Sequence, residues 1–234
     1  MKVYISILEE TYPLRLVVFL KDVSYVTRMF LPSQRAAQAG WDALFALLPG
    51  VPGNWIKGQV TGPVSMGLML TDQDKRPILY NEWLAEVLTK NTEMQARWQI
   101  RQLTSLRPNV LLSIDEPALS MFGSAHISLN SDHVINMLNP VIDAIHEEGA
   151  LSCVHCCANT DWSLLMKTRV KVINLDAYGF FEGFSLYPHD LDRFLGQGGI
   201  ICWGIVMTSH MELSGDLVEV HTLWVGYQTF ARGC

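Results

Sequence analysis

The chain has 234 residues, 49% of them hydrophobic and 17% charged, with a formal net charge of −6 at pH 7. That is enough apolar sequence for one large domain with a sizeable core, and residues 1–234 read as a single domain. No Lys/Arg run interleaved with aromatics is present, which argues against nucleic acid as a main partner. No stretch of about 20 uninterrupted apolar residues is present either, which argues against a membrane span.

Residues 1–50 carry few functional signals. The apolar run 14–20 is followed by Lys21 and Asp22 and lacks a small-residue cleavage pattern, so it reads as core rather than as a secretion signal, with a short strand at 17–20. Residues 33–48 place Ala36, Ala37, Trp41, Leu44, Phe45 and Leu48 at helical spacing, and a Pro/Gly-rich turn follows.

A strand is predicted at 57–60. It runs into Thr61-Gly62-Pro63-Val64-Ser65, a tight loop whose free N–H groups and hydroxyls suit a carboxylate or phosphate, although such a loop is more often a plain turn. Residues 79–106 are rich in helix formers, with Pro108 beyond. The apolar run 110–114 reads as a strand buried on both faces, ended by Asp115-Glu116-Pro117. Asp115 shares strand parity with Leu111 and Ser113 and is the inward-pointing acid, whereas Glu116 reads as a helix N-terminal acid or a surface residue.

A helix follows at 131–148, with Ser131 or Asp132 as N-cap and Gly149 at its end. Residues 150–157 are again strand-like, and a helix led by Asp161-Trp162 comes next. A buried strand at 170–175 ends at Asp176 and Tyr178. A helix at 186–195 and a strand at 200–206 complete the pattern.

Strand, polar loop and helix thus repeat at least five times, which means a parallel sheet with right-handed crossovers, either a barrel or a doubly wound sheet. No G-x-G-x-x-G joins a strand to a helix, so a dinucleotide site has little support. Gln59 with Thr61, Asp115, His155 with Cys157, and Asp176 all fall at C-terminal strand ends, where barrel enzymes place their chemistry. The fold class predicted is α/β, a TIM (β/α)8-type barrel, complete or cut short.

The cysteines are Cys153, Cys156, Cys157, Cys202 and Cys234. Three within five residues suit a reduced, cytoplasmic protein with metal or thiol chemistry better than a disulfide framework. Cys153 and Cys156 read as small core residues. His155 and Cys157, two apart on a strand, share a face and offer zinc a nitrogen and a sulfur.

Gly58-Gln59-Val60-Thr61-Gly62-Pro63-Val64-Ser65, Ile114-Asp115-Glu116-Pro117-Ala118-Leu119, Val154-His155-x-Cys157, Val172-Ile173-Asn174-Leu175-Asp176 and Trp203-Gly204-Ile205-Val206 occur in this order. Together, over about residues 57 to 206, they resemble the catalytic domain of cobalamin-independent methionine synthase and its short relatives. That superfamily also holds uroporphyrinogen decarboxylase and the zinc-dependent methyltransferases that act with corrinoid proteins. The resemblance implies a zinc-dependent methyl transfer to a thiol such as homocysteine, from a folate or a corrinoid protein, and a role in methionine biosynthesis. It implies His155, Cys157 and Asp176 as zinc ligands and Asp115 as the catalytic acid that holds the substrate amino group. Thr61 and Ser65 would lie on the loop approaching the substrate carboxylate, and Gln59, Glu116 and Tyr178 complete the implied substrate-binding set.

The sequence also departs from that family. Its third soft ligand, a Cys in a Pro-Ser-Cys-Gly-like loop, has no counterpart here. Cys234 is the last residue, and Cys202 reads as core. The loop His used for proton transfer is matched by residues 205–209, with only His210 or His221 to replace it. Three alternatives therefore stand beside a methionine synthase-like enzyme. One is a corrinoid or coenzyme M-type methyltransferase. Another, with little support because no Lys/Arg cluster lies at the strand ends, is a uroporphyrinogen decarboxylase-like enzyme. The last is an inactive shortened barrel, which predicts exposed apolar surface and homo-oligomers.

Overall fold

The computed structural model describes residues 35–48, 51, 53–124 and 127–204. The predicted strand at 17–20, residues 205–209, His210, His221 and Cys234 lie outside them.

Alternation decides what each face of a strand carries. In β2 (Asn109–Asp115), Val110, Leu112 and Ile114 turn one way and are buried, whereas Leu111, Ser113 and Asp115 turn the other. The same division runs through β1 (Trp55–Thr61), β3 (Leu151–Cys156), β4 (Val172–Asp176) and β5 (Ile200–Gly204). The strands are all parallel and lie in the order β1-β2-β3-β4-β5. A doubly wound sheet reverses its strand order at a switch point, and this sheet does not. Right-handed crossovers in an unreversed order deliver the connecting helices to one face. The core agrees: Val60, Leu112, Ile114, Val154, Ile173 and Leu175 belong to one apolar cluster with the helices, and all lie on the same face. The α/β fold is thus as expected, and its sheet is compatible with part of a TIM-like barrel.

Around the sheet come α1 (Arg35–Leu47), α2 (Pro63–Met69), α3 (Glu82–Thr104), α4 (Ser131–Glu147), α5 (Trp162–Met166), α6 (Ala177–Phe184) and α7 (Pro188–Gly196), with short 3-10 turns at Ile78–Tyr80 and Pro117–Met121. The long α3 starts at Asn81, whose side chain accepts from the Leu84 N–H at 3.2 Å, and it packs on β1, β2 and α4. The N-cap of α4 is Asn130 rather than Ser131 or Asp132, because its carbonyl reaches the His133 N–H at 2.7 Å. Gly149, at φ 75°, ends the helix as expected. Asp161 caps α5.

Residues 110–114 were expected to be buried on both faces. Helices cover one face, and on the other Ser113 is fully buried while Leu111 is half-buried. Side chains such as Leu112 and Ile114, each fully buried, contribute about 1.5–3 kcal/mol apiece by leaving water. At the outer edge Glu148 receives Arg101 at 2.6 Å and Arg97 at 3.4 Å, tying α3 to the end of α4. No helix among the described residues is long and apolar enough to cross a membrane.

Candidate functional site

The face of the sheet turned away from the helix layer carries Gln59, Thr61, Asp115 and His155, and parallel register puts Thr61, Asp115 and His155 in one line with Asn174 and Cys202. Thr61 pairs with Asp115, Asp115 with His155, His155 with Asn174, and Asn174 with Cys202. The same residue parity therefore presents a hydroxyl, a carboxylate, an imidazole, an amide and a thiol side by side at the carboxyl ends of five strands. One step deeper, Gln59, Ser113, Cys153 and Val172 form the next line.

Asp115 is half-buried, and the fully buried Ser113 hydroxyl donates to its Oδ1 at 2.8 Å. Ser113 thus fixes which way the carboxylate points. Asn174 donates through Nδ2 to the Cys202 carbonyl at 3.0 Å, so its amide is tied to β5. His155 is half-buried, and its Nδ1 is shielded from solvent with no hydrogen-bond partner among the described residues. A buried ring nitrogen in that state gains from any donor, acceptor or ion that reaches it.

The loop after β1 does bind a carboxylate, and the carboxylate is Glu116. Its Oε1 accepts the Val64 N–H at 2.9 Å, and its Oε2 accepts the Ser65 N–H at 2.7 Å and the Ser65 hydroxyl at 2.6 Å. The Ser65 oxygen also accepts the Ala118 N–H at 3.1 Å. Glu116 and Ser65 both show zero exposure, so they stand behind the strand-end line rather than on it. The reading of Glu116 as a surface acid is thereby corrected: next to Asp115 in sequence, it turns to the opposite face. Burial pushes its carboxyl up to about 7, against the pull of the Ser65 hydroxyl and the two N–H groups, with the Asp115 charge adding to the rise. Gln59 and Thr61, by contrast, are exposed on the open face.

Cys157, expected on the strand with His155, is exposed in the bend just past β3, two residues beyond it. Asp176, two beyond Asn174, is half-buried and caps α6, accepting weakly from the Gly179 N–H at 3.4 Å. Tyr178 lies in the first turn of α6 and is half-buried. Cys153 and Cys156 are buried as expected, their thiols pushed up by that burial to about 12 and about 11. Cys202, read as core, is instead exposed on the open face beside Asn174.

His155 and Cys157 are donors of the type zinc takes, and the orphaned Nδ1 fits a ligating role. Among the described residues, however, no three His, Cys, Asp or Glu side chains are grouped so as to hold a metal ion. The two donors of the expected type are His155 near the end of β3 and Cys157 in the bend that follows it.

Sequence reasoning missed Ser113, which orients Asp115 from one step deeper, and Asn174, which stands in the line. The available signal was parity: each is a polar residue two positions before a strand-end acid, inside an otherwise apolar strand. Compared with models of known families and with curated proteins, the chain matches none.

Proposed function

We propose that the protein is a cytoplasmic (β/α)8-type barrel enzyme that methylates a small aminothiol such as homocysteine, in the manner of the cobalamin-independent methionine synthases. The observation that carries this reading is the line Thr61–Asp115–His155–Asn174, which puts an oriented carboxylate next to an imidazole with an unused nitrogen. Asp115, held by Ser113, offers an anion for an ammonium group, and the exposed Thr61 hydroxyl beside it can bind the neighbouring carboxylate. His155 and Cys157, with Asp176 on the adjacent strand, are the residues that would hold zinc. Zinc supplies a lowered thiol pKa, so that the substrate sulfur is a thiolate near neutral pH. The methyl donor of such an enzyme is a methylated folate or a methylcorrinoid protein. The free thiols of Cys153, Cys156, Cys157 and Cys202 support a reducing compartment.

The test is metal analysis of protein purified without chelator, alongside a homocysteine methylation assay. Stoichiometric zinc that is lost in His155→Ala and in Cys157→Ala, together with turnover of homocysteine, supports the reading. Near-zero zinc that does not change on His155→Ala overturns it. A second reading, a shortened barrel that binds a partner without catalysis, is favoured by the lack of a three-donor group among the described residues. It predicts no zinc, no turnover and a self-associated species by light scattering.

A further inference from the structure

The corner between β1 and α2 is written so that it cannot cap itself. Gly62, the N-cap residue of α2, has no side chain with which to accept a hydrogen bond, and Pro63 at the next position has no N–H. Met66 bonds back to the Gly62 carbonyl at 3.0 Å, so the N–H groups left without a helical partner are those of Val64 and Ser65. Glu116 takes both. A Cβ at Gly62 would lie 2.1 Å from the Glu116 Oε1, so the glycine is what lets the carboxylate in.

The main chain of the same corner is stitched to the strand-end line. Gly62 N–H donates to the Asp115 carbonyl at 2.9 Å, and Glu116 N–H donates to the His155 carbonyl at 2.9 Å. Glu116 therefore grips the start of α2, just after β1, with its side chain and the end of β3 with its backbone, while following Asp115 in the chain. Of the line, Asp115 is the preceding residue and His155 is one hydrogen bond away, while Thr61 is reached through Gly62 and the Val64 N–H. Its own carboxylate, fully buried and facing three donors, has no path to a ligand on the open face.

We propose that Glu116 is the positioning residue of this site: by capping α2 from β2, it holds Thr61, Asp115 and His155 at one level, so ligand affinity depends on it although it never touches the ligand. This rests on the reading that the strand-end line binds an aminothiol, and it gives Glu116 a different role from the substrate contact that the family resemblance implies.

The experiment combines two measurements on Glu116→Gln, Ser65→Ala and Asp115→Asn: amide hydrogen exchange across residues 61–66, and L-homocysteine binding by titration calorimetry. Gln keeps the shape of Glu but sets an NH2 group against one of the N–H donors. Glu116→Gln is expected to speed exchange at Val64 and Ser65 while the β2–β4 amides stay protected. It should weaken homocysteine binding about 10- to 100-fold, the range for groups that orient other groups' ligands. Ser65→Ala should move both readouts in the same direction by less. Asp115→Asn should weaken binding and leave exchange at Val64 and Ser65 unchanged. Faster exchange with unchanged affinity would make the clamp purely structural, and weaker affinity with unchanged exchange would make Glu116 a direct contact; either overturns the proposal. A wild-type protein that does not bind homocysteine removes the functional reading, and this inference with it. Should Glu116→Gln fail to fold, Ser65→Ala carries the same two outcomes.

Discussion

Ser65 gives Glu116 two hydrogen bonds, its own N–H at 2.7 Å and its hydroxyl at 2.6 Å, both to the same carboxylate oxygen. The hydroxyl also accepts from Ala118, so a single oxygen joins the start of α2 to the turn after β2. Nothing in this cluster reaches solvent, and unmade bonds there have no water to replace them. Ser65→Ala removes one donor from a buried carboxylate and one acceptor from a buried N–H. Equilibrium denaturation in urea should show a loss of about 1–3 kcal/mol, with an unchanged slope.

Two glycines should respond oppositely to a methyl group. At Gly62 the φ is −69°, so alanine meets no backbone penalty, but its Cβ would fall 2.1 Å from Glu116 Oε1. Gly179, inside α6, has nothing within 4 Å of its virtual Cβ. Gly62→Ala should cost about 1–3 kcal/mol through overpacking, and Gly179→Ala should add up to about 1 kcal/mol of helix stability. Thermal unfolding of the two variants checks both signs at once.

Strand ends were legible because a parallel strand buried by helices writes itself as a short apolar run, and parity then assigns its side chains. That logic put Asp115 on the parity of Leu111 and Ser113, where the structure has it. It could not place Glu116, whose partner Ser65 lies 51 residues away and is invisible to any local pattern. Parity said that Glu116 turns away from Asp115, but not that an uncapped helix start waits on the other side. The Gly62-Pro63 pair read as a turn, although it opens the seven-residue α2. Helix α6 was missed for a related reason: Gly179 and Gly183 within eight residues blur the helical signal, and Asp176 capping is the clue that remains.

Glu116 also makes a pH dependence. Its carboxyl is raised in the folded state to about 7, burial being the largest cause, whereas an unfolded Glu titrates near 4.3. Below the unfolded value both states are protonated and the group makes no difference. As pH rises from about 4.3 to about 7, the unfolded chain releases the proton first, so stability falls across that window. Above it the loss is complete, on the order of 3 kcal/mol. Urea unfolding measured between pH 4 and 8 should show this decline superimposed on other titrations. Glu116→Gln should flatten it, and an unaltered slope in that variant would assign the decline to other groups.

The four described cysteines should separate into two reactivity classes. Only the thiolate attacks an alkylating reagent, so exposure and a low thiol pKa act together. Cys157 and Cys202 are exposed on the open face, whereas Cys153 and Cys156 are buried and their thiols are pushed up to about 12 and about 11. Brief iodoacetamide treatment of the native protein at pH 8, read by peptide mass spectrometry, should label Cys157 and Cys202 and spare Cys153 and Cys156 until denaturant is added. Prior incubation with zinc should protect Cys157 and leave Cys202 labelled, because Cys157 lies two residues from His155 while Cys202 stands beyond Asn174. Equal protection of the two would place the metal elsewhere, and no protection of Cys157 at saturating zinc would remove it from the ligand set.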